Sequence, residues 1–106
     1  MVDGENRNTA KLLSLIGLAR KAGKITIGTE MVCDAVRSGD VKLVIASENS
    51  SDNTKKRISN CVLHYVVRLE YIAATPDELG RAIGKTATAC VGIDDENFIK
   101  LISANL

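Results

Sequence analysis

Aromatic residues are scarce in this sequence of 106 residues, which contains no Trp, two Tyr and one Phe. Because 45% of the residues are nevertheless hydrophobic, the core must be built from Leu, Ile, Val and Ala. Proteins that bind single-stranded nucleic acid usually stack bases on aromatic side chains. The composition therefore argues against a platform of that kind.

An excess of charge is also missing. The chain has 14 Lys and Arg residues against 13 Asp and Glu residues, which gives a net charge of +1. Proteins that bind nucleic acid mainly by neutralising phosphates are strongly basic. An RNA-binding site in this chain is therefore expected to be local, and DNA is not an expected partner.

The sequence lacks the patterns of a disulfide framework, a zinc site or a membrane protein. Cys33, Cys61 and Cys90 are widely spaced, odd in number and without a C-x-x-C pair, so we interpret them as buried thiols in a reducing compartment. No signal-peptide core follows the polar start, and no apolar run could span a bilayer. We expect a cytoplasmic protein with no membrane partner.

Residues suited to catalysis or metal binding are few. His64 is the single histidine and has no partner pattern, so a catalytic role is not expected. The acidic cluster Asp94-Asp95-Glu96 could bind a divalent cation, but its position at a helix start explains it without one. The segment Gly23–Gly28 lacks the spacing of a phosphate loop. We therefore expect no enzymatic activity, no cofactor and no metal.

Hydrophobic periodicity and capping residues predict helices and strands that alternate along the chain. A polar tail is expected over residues 1–8 and a single domain over residues 9–106. The predicted helices run from Asn8 or Thr9 to Gly23, from Gly28-Thr29 to Ser38-Gly39, from Asn53 to Cys61, from Thr75-Pro76 to Gly84, and from Asp94 to about Ile102. The predicted strands are Lys24–Ile27, Val41–Ala46, Tyr65–Leu69 and Thr88–Ile93. This order indicates an α/β fold, a three-layer α/β/α sandwich with a mixed four-stranded sheet. The buried face of the second helix is predicted to be Met31, Val32, Ala35 and Val36.

Three polar segments are expected to meet at one edge of this sheet. They are Gly28-Thr29-Glu30, Ser47-Glu48-Asn49 and Gly84-Lys85-Thr86-Ala87. A helix N-terminus presents free N–H groups and positive partial charge, so it can lie against a phosphate or a base edge. Phosphate contacts around that edge would come from Lys24, Arg37, Arg81 and Lys85. The alternative is that Gly28 permits a turn, Thr29 caps a helix and the cations form a solvated face.

At these residues the sequence resembles the kink-turn RNA-binding superfamily of ribosomal proteins, the L-seven-Ae and L-thirty-e type, and most closely its bacterial YlxQ-like branch. The matching stretches are Gly17–Ala19, Lys21–Lys24, Lys42–Val44, Asn53–Lys56, Leu79–Lys85 and Val91–Phe98. The resemblance implies an α/β/α sandwich that binds RNA without catalysis. Its target would be RNA sharply bent by tandem sheared G·A pairs and a three-nucleotide bulge, recognised largely by shape.

The resemblance also implies roles for particular residues. In archaeal members the second helix begins with a G-x-N-E-x-x-K signature that reads the G·A pairs, and here Glu30, Met31 and Asp34 replace its Asn, Glu and Lys. Glu30 could accept hydrogen bonds from guanine, and Arg37 could either replace the missing cation or neutralise Asp34. Lys85–Ala87 would cover the bulged nucleotides. The full predicted RNA site is Lys24, Gly28, Thr29, Glu30, Met31, Asp34, Arg37, Glu48, Asn49, Arg81, Lys85, Thr86 and Ala87.

Two functions are therefore open at this point. The first is a monomeric, non-catalytic protein that binds structured RNA of the ribosome or another non-coding RNA. The second is a protein–protein interaction module of the translation apparatus that has kept the fold and lost kink-turn recognition. Asp34, the near-neutral charge and an exposed Met31 would favour the second.

Overall fold

The computed structural model describes the backbone of residues 2–106 and the side chains of residues 8–106. The helices are α1 (Val2–Lys21), α2 (Thr29–Arg37), α3 (Asp52–Tyr65), α4 (Pro76–Ala82) and α5 (Glu96–Ser103). The strands are β1 (Ile25–Ile27), β2 (Leu43–Ser47), β3 (Arg68–Ile72) and β4 (Cys90–Ile93). Within this part of the chain, no helix is both long and apolar enough to cross a membrane.

The four strands form one mixed sheet in the order β1-β4-β2-β3. β2 runs parallel to β3, whereas β4 runs antiparallel to both β1 and β2. All five residues of β2 are buried, as expected for an apolar run bounded by polar residues and covered on both faces. The predicted mixed four-stranded sheet is confirmed.

Helices cover both faces of the sheet and enclose two cores. Successive side chains of a strand point to opposite faces, so β2 and β4 contribute to both cores. On one face the buried cluster contains Leu12 and Ile16 of α1, Leu79 of α4, Ile102 of α5, and Leu43, Ile45, Val91 and Ile93 of the sheet. On the other face it contains Val32 and Val36 of α2, Ile58 and Val62 of α3, and Val44, Ala46 and Cys90 of the sheet. The three-layer α/β/α sandwich is therefore confirmed.

Local capping explains several helix ends. The Thr75 hydroxyl accepts a hydrogen bond from the Glu78 N–H, and the Glu78 carboxylate accepts one from the Thr75 N–H. This capping box, with Pro76 in the first turn, confirms the predicted start of α4. The Asp95 carboxylate accepts a hydrogen bond from the Phe98 N–H and caps α5, so the acidic cluster does begin a helix.

Four predicted boundaries are wrong by three residues or more. α1 begins at Val2 rather than near Asn8 or Thr9. Most of the predicted polar tail over residues 1–8 is therefore helical, and Met1 lies outside the described residues. A helix that has nucleated propagates at one hydrogen bond per residue, and no proline interrupts this segment. α3 continues to Tyr65 instead of Cys61, and β3 spans Arg68–Ile72 instead of Tyr65–Leu69. Burial of Ile58 and Val62, four residues apart, outweighs the strand preference of Tyr65 and its neighbours.

The prediction that Met31 belongs to the buried face of α2 is also wrong, because 61% of its surface is exposed. The buried residues of α2 are Val32, Cys33 and Val36. With 3.6 residues per turn, Met31 points about 100° away from Val32 around the helix axis. It therefore falls at the edge of the buried stripe.

All three cysteines are free thiols; Cys33 and Cys90 are buried, whereas Cys61 is half-buried. Burial raises the pKa of Cys33 to about 12, and a hydrogen bond with Cys61 contributes to the increase. Burial also raises the pKa of Cys90 to about 11, against the lowering effect of a hydrogen bond with Thr29. Cys33 and Cys90 therefore behave as core residues at neutral pH.

The chain after α4 folds back tightly over that helix. The Lys85 N–H donates to the Gly80 carbonyl at 2.8 Å and the Thr88 N–H donates to the Pro76 carbonyl at 2.9 Å. A Cβ at Gly80 would lie 1.5 Å from the Thr86 carbonyl oxygen. Only glycine at position 80 permits this approach, which holds residues 85–88 in place.

We expect Gly80→Ala to lower the free energy of unfolding by about 1–3 kcal/mol, because the added methyl group must displace backbone. Gly17→Ala is the matched control, since its Cβ would lie at the longer distance of 2.8 Å from the Ala82 carbonyl oxygen. Both substitutions raise helix propensity equally. Urea denaturation would contradict this account if Gly80→Ala were no more destabilising than Gly17→Ala.

Candidate nucleic-acid interface

The antiparallel pairing of β4 with both of its neighbours brings three chain segments to one end of the sheet. β1 and β2 end where β4 begins. Hydrogen bonds continue past the strand ends, from the Gly28 N–H to the Cys90 carbonyl at 3.0 Å and from the Ser47 N–H to the Ala89 carbonyl at 2.8 Å. The start of α2, the loop after β2 and the segment before β4 therefore share this end, as the sequence predicts.

A groove of about 730 Å³ lies between the start of α2 and the segment before β4. We call it the α2 groove. Six of the predicted site residues line it, namely Gly28, Thr29, Met31, Lys85, Thr86 and Ala87. Arg20, from the last turn of α1, also lines it.

Gly28 shapes the start of α2. It is the N-cap residue with φ 92° and ψ 151°, and it makes no side-chain capping bond. Its carbonyl accepts a hydrogen bond from the Val32 N–H at 2.8 Å. Because Gly28 is the N-cap, Thr29 is the first helical residue, and the alternative that Thr29 caps the helix is wrong. The Thr29 Oγ1 atom lies 4.0 Å from the Cys90 Sγ atom. The first N–H groups of α2 thus have no side-chain acceptor at the N-cap.

Two cations give the α2 groove its charge. Arg20 and Lys85 both line it, and among the side chains of residues 8–106 no carboxylate oxygen lies within 4.0 Å of either. Together with the positive partial charge at the start of α2, they make this concave surface suited to an anion. Prediction from sequence missed Arg20. The sequence feature that could have revealed Arg20 is the shortness of β1. Three residues span only about 10 Å, so the end of α1 must lie close to the start of α2.

Other predicted site residues lie outside the α2 groove. Arg81 lies in a second groove between α1 and α4, with Lys21 and Leu18. The ammonium group of Lys24 lies 4.0 Å from the Asp95 carboxylate.

The loop after β2 shares the sheet end but not the groove. The Asn49 N–H donates to the buried Ser47 hydroxyl at 3.1 Å, and that hydroxyl donates to the Ala74 carbonyl. Glu48 lines a separate hollow beside Tyr71. Glu48 and Asn49 therefore share the sheet end with the α2 groove but do not line it.

The remaining acidic and basic residues of α2 are engaged in ion pairs. Glu30 is bridged to Arg57 of α3 at 2.5 Å, and Arg37 forms an ion pair with Asp34. Hydrogen bonds to these carboxylates raise the pKa of both guanidinium groups. Of the two alternatives for Arg37, the ion pair agrees with neutralisation of Asp34, and neither Arg37 nor Asp34 lines the α2 groove.

His64 lines a hollow between α2 and α3 with Arg37 and Arg57. His64 is exposed and its ring contacts Tyr65 edge to face, with 4.7 Å between centroids. No cluster of three or more His, Cys, Asp or Glu side chains among the described residues is arranged to hold a metal ion.

Comparison with known proteins identifies the family. Residues 10–103 match the model of the ribosomal protein L7Ae/L30e/S12e/Gadd45 family. The chain belongs to this family. It is 37% identical over 90 residues to the RNA-binding protein YlxQ of Bacillus subtilis (strain 168), covering 84% of this chain and 89% of that protein. It is 29% identical over 85 residues to the large ribosomal subunit protein eL30 of Candida albicans, covering 80% of each. The predicted family membership and the likeness to bacterial YlxQ proteins are confirmed.

Solved structures agree with the fold. A protein of unknown function from Bacillus halodurans superposes with a TM-score of 0.82 at 36% identity, covering 91% of this chain and 96% of that chain. The Giardia lamblia 15.5kD RNA binding protein superposes with a TM-score of 0.75, covering 93% and 84%. Its identity is only 18%, so this second likeness supports the fold alone.

We expect Gly28→Ala to lower the free energy of unfolding by about 1–3 kcal/mol, because φ 92° with ψ 151° is a region populated almost exclusively by glycine. Space is not the cause, since no atom lies within 4 Å of the position that a Cβ would take. Gly39→Ala, at φ 78° and equally unobstructed, is the matched control and should lose about 1 kcal/mol. Equal losses in chemical denaturation would contradict a special role for the backbone of Gly28.

Proposed function

We propose that this chain binds structured RNA containing a kink-turn, and that the α2 groove is its contact surface. One observation carries the proposal: the uncapped start of α2 faces Lys85 across a groove that Arg20 also lines. The names of two relatives, an RNA-binding protein and a ribosomal protein, support it. The protein would act by docking rather than by catalysis.

The proposed contacts divide into positioning and reading. Arg20, Lys85 and the first N–H groups of α2 would contact phosphates, which fixes the orientation of the RNA. Because Gly28 has no side chain, the RNA backbone could approach that helix start closely. With a net charge of only +1, such local contacts would have to supply most of the electrostatic attraction.

Glu30 is the proposed reading residue; it lies in the first turn of α2, outside the α2 groove itself. Its carboxylate could accept hydrogen bonds from the imino and amino groups of guanine in a sheared G·A pair. The ion pair with Arg57 would hold the carboxylate on the side of α2 that faces α3. Since 69% of the Glu30 side chain is exposed, it remains accessible to a base while paired.

The loop Lys85–Ala87 would cover the bulged nucleotides, and its rigidity favours that role. Gly80 and the backbone bonds to α4 hold it before any ligand arrives. A preformed loop loses less conformational entropy on binding. Ribosomal or other non-coding RNA is the proposed source of the kink-turn, as the name of the eL30 relative suggests.

We expect Lys85→Glu and Arg20→Glu each to weaken kink-turn binding about tenfold or more and to reduce the salt dependence of log K by about 1. Lys100→Glu on α5 is the matched control, because it makes the same charge change on an exposed residue outside both grooves. Filter binding at several salt concentrations measures these effects. If all three variants bound alike, the α2 groove would not be the contact surface.

The exposure of Met31 favours a second candidate function. This side chain is 61% exposed and lines the α2 groove, so a translation factor with an apolar contact could dock there instead of RNA. A protein partner that is retained after RNase treatment and released by Met31→Glu would support this candidate. Recovery of RNA without such a partner would contradict it.

A further inference from the structure

Strand β3 is an unpaired edge of the sheet. Because the Ile72 carbonyl accepts a hydrogen bond from the Glu48 N–H beyond β2, the backbone groups of Ile72, Glu70 and Arg68 face β2. Those of Leu69 and Tyr71 then face outward, since backbone groups alternate along a strand. Among the described residues, no strand pairs with this outer side. An edge of this kind is a template for another strand.

An apolar surface adjoins this edge on the α3 face. Leu63 and Val66 are exposed over 78% and 90% of their surfaces, and together with the half-buried Leu69 they line one hollow. We call Leu63, Val66 and Leu69 the β3 edge patch. A cluster of exposed aliphatic side chains beside a free strand edge is suited to contact with another apolar surface.

Val66 is held in an unfavourable conformation within this patch. It ends α3 with φ 56° and ψ 48°, and its N–H donates to the Leu63 carbonyl at 3.3 Å. No other non-glycine residue in the described part of the chain has a positive φ. This position normally takes glycine, and a β-branched side chain is strained there. A strained and highly exposed valine adds nothing evident to the fold, which points to a role in contact.

In one antiparallel register, the charged residues of β3 lie opposite residues of the opposite charge on a second copy of the strand. Arg68 and Glu70 form an ion pair at 3.0 Å on the opposite face of the strand, with side chains 45% and 35% exposed. If a second copy pairs antiparallel with Leu69 opposite Leu69, each Arg68 lies opposite the Glu70 of the other copy. A register centred on Glu70 would instead place two carboxylates opposite each other, which is unfavourable.

We propose that two copies of this chain associate through antiparallel pairing of their β3 strands, centred on Leu69, to form one continuous eight-stranded sheet. The β3 edge patches of both copies meet on one face, and the Arg68 and Glu70 pairs cross on the other. Such a contact is isologous, with the same residues on both sides. The proposal replaces the expectation of a monomer and does not depend on RNA binding.

The test is sedimentation equilibrium of the full chain from roughly 1 µM to roughly 1 mM. The wild type should dimerise in this range. Arg68→Glu and Glu70→Arg each place like charges opposite each other and should weaken dimerisation about tenfold. The double variant restores complementarity and should return to within about threefold of the wild type, as a coupled pair requires. A wild type that stays monomeric throughout, or a double variant no better than the single ones, overturns the proposal.

The variant Val66→Gly distinguishes an effect on dimerisation from an effect on folding stability. Glycine relieves the strain at positive φ, so the variant should have a higher Tm than the wild type at concentrations where both are monomeric. It also removes an aliphatic side chain from the β3 edge patch and should weaken dimerisation about tenfold. Unchanged dimerisation in this stably folded variant would show that the patch is not the interface.

Discussion

The pairing of β4 with β1 on one side and β2 on the other is the constraint on which the rest of the structure depends. All four residues of β4 are buried. At Gly92 a Cβ would lie 2.8 Å from the Val41 side chain, so the strand is held closely against its surroundings. Its antiparallel register sets the ends of β1 and β2 level with its own beginning, and the α2 groove exists because of that arrangement.

The α2 groove is shaped by two close backbone arrangements and has only a small positive charge. Gly28 turns the chain from β1 into α2, and Gly80 lets the Lys85 segment pack on α4. Arg20 of α1 and Lys85 after α4 supply the cations, while the charged residues of α2 are paired with a neighbouring helix or with each other. A site that is preformed in shape and modest in charge is what the proposed function requires, because a sharply bent RNA would present phosphates already arranged to fit it.

Sequence alone predicted what local chemistry determines. The start of α4 followed from Thr75, Pro76 and Glu78 because a capping box needs only neighbouring residues. The end of α3 and the exposure of Met31 were mispredicted because both depend on which side chains the sheet buries. Periodicity in the chain cannot reveal which side chains the sheet buries.

In the candidate site, too, some features could be predicted from sequence and others could not. The meeting of the start of α2 with Lys85–Ala87 follows from the order of the strands and was predicted, whereas the bridge from Glu30 to Arg57 and the approach of Arg20 depend on how separate helices pack.

Equilibrium binding to two RNAs tests the central claim most directly. One is a kink-turn RNA, and the other is the same RNA with its G·A pairs replaced by Watson–Crick pairs, compared at about 0.15 M salt. We predict tight binding to the first and weak binding to the second, because the phosphate contacts proposed for the α2 groove would require the bend. Equal affinity for both RNAs, or no binding to either, would contradict kink-turn recognition by this protein.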